Sequence, residues 1–142
     1  MKRRLEIVPF EVKHLEGYKS LTGPDEVGTA RLGKEPTEAY TALDEKGRTI
    51  FCMGRIEVTP WCQEVWFIAT VHIIRWPREA VGIAKKYLKE CCLSRSHRVQ
   101  AVVLKDWEKG NQFMQKLGFR REGILKALDE EKRDYNLYAR VR

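Results

Sequence analysis

Residues 116–142 read KLGFRREGILKALDEEKRDYNLYARVR. Leu117-Gly118-Phe119 has the composition of a helix stop. Glycine fits the left-handed position just past a helix, and a Phe beyond it folds back on the last turn. Upstream, Trp107, Phe113, Met114 and Leu117 fall on one face of a helix over Trp107–Leu117. Downstream, Glu122–Leu128 and Arg133–Val141 read as two strands around the turn Asp129-Glu130-Glu131-Lys132. Tyr135, Leu137, Ala139 and Val141 share one face of the second.

Working back from this tail, Val99–Leu104 is a short apolar run with the length of a buried strand. Before it lies an amphipathic helix over Ala80–Ser94. Ala80, Ala84, Tyr87, Leu88 and Cys91 form its inner face, and Pro77 stands just ahead of its first turn. Glu64–Thr70 reads as a central strand. Strand, helix and strand make a crossover, which predicts parallel pairing and a right-handed connection.

Tyr40–Leu43 and Thr49–Val58 are expected strands on either side of the polar turn Asp44–Arg48, with Gly47 where a positive φ is needed. Gly54 inside the second predicts a bulge or a close approach. Pro60–Gln63 makes the next turn. At the other end, Leu5–Val8 reads as a strand before Pro9, and Glu11–Lys19 as a short helix. Ser20–Thr37 carries Gly23, Pro24, Gly28, Gly33 and Pro36 and reads as loop, with a helical turn around Asp25–Leu32.

The 142 residues suit one domain spanning 1–142, and 43% hydrophobic residues suffice for a core. No apolar run reaches the roughly 18 residues of a membrane span, and the basic start has no apolar segment after it, so a cytoplasmic protein without a signal peptide is expected. Cys52, Cys62, Cys91 and Cys92 form no CxxC pair. They are read as buried thiols, and no metal site is expected. The net charge of +7 suits a polyanion such as nucleic acid or the phosphates of a nucleotide-like cofactor, or simply a solvated surface. Lys and Arg are scattered rather than massed, which counts against nucleic acid.

The order β-α-(α)-β-β-β-α-β-α-β-β, with FMQKLGFRREGILKALDEEKRDYNLYARV after the last crossover, resembles the GNAT superfamily of N-acetyltransferases. Lys116, Gly118, Phe119, Glu122, Gly123, Asp134 and Tyr135 carry the likeness. Within it, EVWFIATVHIIRWPREAVGIAKKYLK looks most like small GNAT-like proteins of tailed phages and prophages, some of them internal virion proteins.

The resemblance implies an α/β domain with a mixed sheet of six or seven strands, a parallel pair splayed apart, and about four flanking helices. It implies acetyl-CoA as acetyl donor and an amine acceptor: a protein N-terminus, a lysine or a small amine. It places the donor's pantetheine arm along Ile68, Ala69 and Thr70, and its pyrophosphate near Arg75, Arg78, Gly82 and Ala84. The family's Arg/Gln-x-x-Gly-x-Gly/Ala pattern is met by Gly82 and Ala84 but has Glu79 at its first position. Glu64 is the first candidate base and Glu57 the second, with Tyr138 as a further catalytic candidate where the last strand lines the acceptor groove. Met114 stands where many relatives carry an acid Tyr. The acceptor groove is expected between Ser20–Thr37 and the last hairpin, whose edge strands leave room for a homodimer. The alternative is a GNAT-fold phage protein without catalysis, in a structural or host-interaction role.

Overall fold

The computed structural model describes residues 4–17 and 38–142. Its seven strands are β1 (Glu6–Pro9), β2 (Glu38–Leu43), β3 (Thr49–Thr59), β4 (Cys62–Ala69), β5 (Arg98–Leu104), β6 (Arg120–Leu125) and β7 (Tyr135–Val141). They form one sheet in the order β1-β2-β3-β4-β5-β7-β6. Every pairing is antiparallel except β4 with β5.

Two α-helices stand among the described residues, α1 (Pro77–Tyr87) and α2 (Glu108–Lys116). Both lay their apolar stripes on the same sheet face. Ala80, Ala84, Leu88, Met114 and Leu117 close there over Phe51, Val65, Val99 and Ala101 in one core. Part of the expected Glu11–Lys19 helix lies outside the described residues. The rest is a single 3-10 turn, Val12–Leu15, followed by Gly17 at φ 74. The expected loop Ser20–Thr37 and its helical turn also lie outside.

Helix α1 starts one turn earlier than expected, because Pro77 takes the first helical position. It then loosens into a π-turn over Leu88–Leu93. Bonding to i+5 shifts the inward register by one residue, so Cys92 is buried in the core where Cys91 was expected. Cys91 is only half-buried.

The helix stop forms as read. Gly118 sits at φ 87, its N–H donates to Gln115 O (3.0 Å), and Phe119 N–H reaches back to Met114 O (3.1 Å). These two bonds make the full Schellman closure, with Phe119 buried beyond it. The hairpin turn that follows is broader than four residues. Asp129 accepts Arg133 N–H (2.9 Å), Arg133 Nε (2.7 Å) and the Tyr135 hydroxyl (2.9 Å). That cluster gathers the chain into a loop from 126 to 134.

Gly54 marks a close approach rather than a bulge. It pairs with Trp66 across the β3–β4 ladder, and a Cβ there would enter the indole ring. Gly54→Ala is therefore expected to overpack the site and cost about 1–3 kcal/mol. A urea midpoint equal to that of the wild type would refute it.

The feature that positions a site is the β4–β5 pair. Only Cys62–Arg98, Gln63–Val99 and Glu64–Gln100 are in register. Beyond them β4 runs on to Ala69 and β5 to Leu104 without pairing to each other.

Candidate active site

Where two parallel strands part, each exposes a row of backbone groups. On β4 their direction follows from two bonds. Trp61 O accepts from Arg98 N–H on the β5 side (3.2 Å), and Thr70 N–H donates to Ile50 O on the β3 side (3.1 Å). Backbone groups alternate along a strand. Val65, Phe67 and Ala69 therefore aim their N–H and C=O at the β5 side. The Val65 N–H closes the last rung onto Gln100; past it the Val65 C=O and both groups of Phe67 and Ala69 meet no rung of β5. Such an edge is a template for an extended ligand.

A cleft of about 450 Å³ opens over this edge, between α1 and α2. Phe51, Phe67 and Ala69 floor it, and Ile73, Ile74, Pro77, Ala80 and Val81 form one wall. Trp107, Gly110 and Phe113 of the α2 segment form the other, with Lys109, Gln112 and Lys116. The Phe67 and Phe113 rings meet edge to face at 5.6 Å between strand and helix. Trp107 folds over its own helix, so close to Gly110 that a Cβ there would collide with the indole.

Glu64 stands on the last paired rung, on the sheet face opposite the helices. Its carboxylate accepts from Gln100 Nε2 (3.1 Å), and Gln100 Oε1 accepts from Arg98 Nε (3.1 Å). Arg98 turns its two terminal nitrogens onto Glu122, at 3.1 and 2.5 Å. That fork holds the Glu122 carboxyl below its ordinary range and raises the Arg98 guanidinium. Arg98 thus neutralises Glu122, while a neutral amide orients Glu64. Trp66 lies on the same face two residues on, edge to face with Phe10 (5.4 Å). Its buried indole N–H has no hydrogen-bond partner.

The structure separates the residues expected around the donor. Ala69 lines the cleft. Ile68 does not: it is one step out of phase, pairs with Cys52 and is buried on the other face. Thr70 is sealed, its hydroxyl donating to Thr49 O (2.7 Å) and within 3.1 Å of Ile50 O. Ala84 is fully buried under the sheet, so its side chain meets the core and not a ligand. Gly82 lies in the middle of α1 with open space at its Cβ, not at the N-terminus of the helix where the pyrophosphate was expected. Arg75 and Arg78 are exposed beside the N-terminus of α1.

On the acceptor side, Glu57 is exposed and pairs with Gln63, level with the closed β4–β5 rungs and not with the opening. The Tyr138 phenol is buried and donates to Asn111 Oδ1 (2.8 Å). Met114 is buried too, with no proton to give.

Asn111 is the residue the sequence reading passed over. Its Nδ2 lies within reach of the carbonyls of Leu104 (3.1 Å), Lys105 (3.2 Å) and Trp107 (2.7 Å). Its Oδ1 accepts from Asn136 (2.7 Å) and Tyr138. One amide thus ties the end of β5, the start of α2 and β7 together, fixing the far wall of the cleft. Its one sequence signal is a polar residue one turn past Trp107 in an otherwise apolar helix face.

Among the described residues, no group of three or more His, Cys, Asp or Glu converges as metal ligands, and no helix is long and apolar enough to cross a membrane. No protein-family model matches the chain, and no curated protein matches it either. Solved structures do. A protein assigned as a phosphinothricin N-acetyltransferase superposes with a TM-score of 0.71 at 15% identity, over 96% of this chain and 98% of that one. The spermidine/spermine N-acetyltransferase SpeG from Vibrio cholerae gives 0.68 at 15% identity, over 97% and 92%. A GNAT-family acetyltransferase from Bacillus anthracis gives 0.65 at 18% identity, over 99% and 97%. The likeness spans the whole length and shows the fold, a mixed sheet with one splayed parallel pair, to be that of the GNAT acetyltransferases.

Proposed function

We propose that the chain transfers an acetyl group from acetyl-CoA to an amine. The observation that carries this is the parting of β4 from β5 immediately after Glu64, under an apolar cleft. The residues present fit the donor's pantetheine arm. Its amides need the row that begins at the Val65 C=O and continues through the N–H and C=O of Phe67 and Ala69, and its methyl and methylene groups need apolar walls. The solved neighbours named as spermidine and phosphinothricin N-acetyltransferases support an amine acceptor.

Bound there, acetyl-CoA supplies an activated thioester. The Val65 C=O and the Phe67 N–H orient the arm along the β4 edge, and the Phe67 N–H, the first donor past the last rung, stabilises the negative charge that develops on the carbonyl oxygen. Glu64 takes the proton from the incoming ammonium, so that a neutral amine attacks. Gln100 holds the carboxylate toward the opening. Met114 returns no proton, and a thiol of pKa near 8.5 leaves tolerably as thiolate without one.

A second reading is a GNAT-fold protein without catalysis, in a binding or structural role. It is favoured by Met114 and by the straight helix through Gly82. Calorimetric titration with acetyl-CoA, with free CoA alongside, separates the two. Micromolar binding followed by acetylation in an amine screen is the expected result. No heat at millimolar donor would overturn the enzyme reading.

A further inference from the structure

We infer that the phosphates of the donor are held by Lys109 and Lys116 of α2 rather than by backbone N–H groups around Gly82. The inference rests on the donor slot proposed above and assigns its anionic end.

The N-terminal approach to α1 is poorly built for a diphosphate. Helix runs from Pro77 straight through Gly82, so amides near that glycine are inside the helix ladder. Pro77 has no N–H to offer. The Ala80 N–H already donates to Trp76 O (2.9 Å). Glu79 adds a carboxylate to the first turn, where it opposes an anion. In place of a glycine loop, a 3-10 turn over Val71–Arg75 brings Ile73 and Ile74 to the wall.

The opposite wall is the reverse. Lys109 and Lys116 both line the cleft, and among the described residues they are its only charged lining residues, with no carboxylate beside them. Neither lysine is in an ion pair among the described residues. They are seven residues apart on one helix face, two turns, or roughly 10 Å along the rim. Two ammonium groups so spaced match a ligand with two separated anionic groups, as a nucleotide diphosphate with a further phosphate on its ribose has. The chain's excess of positive charge thereby has one functional address.

The test is calorimetry with three ligands: CoA, CoA lacking its 3′-phosphate, and pantetheine, which has no phosphate. Lys109→Gln and Lys116→Gln should each weaken CoA binding about tenfold, with the loss growing at low salt. Pantetheine binding should be unchanged in both, and one of the two variants should no longer distinguish CoA from its dephosphorylated form. Wild-type protein that binds neither CoA nor pantetheine would remove the slot itself. Wild-type binding of CoA with both variants unaffected would overturn the lysine assignment alone. So would a loss confined to Arg78→Gln, which would put the phosphates on α1. Weakened pantetheine binding in the lysine variants would also overturn it, by showing that they shape the wall.

Discussion

Glu64→Gln is expected to lower kcat by about 10²–10⁴-fold, the usual contribution of a positioned general base, while leaving the donor Kd unchanged. Glutamine keeps the size of the side chain and an oxygen that still accepts from Gln100 Nε2. What it loses is the capacity to take a proton. The variant would then depend on the fraction of acceptor already neutral in solution. Its residual rate should climb with pH toward the pKa of an alkyl ammonium, near 10, so the gap to the wild type should narrow as pH rises. Steady-state rates across pH, with calorimetry for the donor, check both halves. Turnover within threefold of the wild type at neutral pH would remove Glu64 from the mechanism.

The second large effect lies in stability. Asn111→Ala is expected to destabilise the fold by about 3 kcal/mol. It strands the Asn136 amide and the Tyr138 hydroxyl as buried donors, and removes a donor from the three carbonyls where β5 meets α2. Asn136 Oδ1 already lacks a partner, so that side chain would be left without a bond at either end. Tyr138→Phe removes only one of the two donors and should cost about 1 kcal/mol. Urea unfolding of the three proteins measures the difference. Equal costs for the two variants would show that Asn111 is not the hub.

Much of the fold was legible in residue order because it depends on local chemistry. The Leu117-Gly118-Phe119 stop needs one glycine at positive φ and one apolar residue to close it, and both are adjacent in the chain. The crossover from β4 through α1 to β5 follows from run lengths and a helical stripe. The broad turn around Asp129 was missed because its bonds come from Arg133 and Tyr135 side chains, which a pattern of turn residues does not register. The π-turn was missed because Cys91 and Cys92 are equally apolar, and only the packing chooses between them.

The site divides along the same line. Sequence alone located the central strand and its Glu64, and it marked the family pattern at Gly82 and Ala84. It did not determine which edge each backbone group of β4 faces. That depends on which neighbour stands on which side, and one step of phase moves Ile68 out of the cleft and Phe67 into it. Nor did it determine that Pro77 would start α1 a turn before Ala80, which moves Gly82 from the first turn of the helix to its interior. Residue types and local geometry were fixed by the chain. The slot between β4 and β5, and the lysines that face it from α2, exist only once strands distant in sequence have paired and then parted.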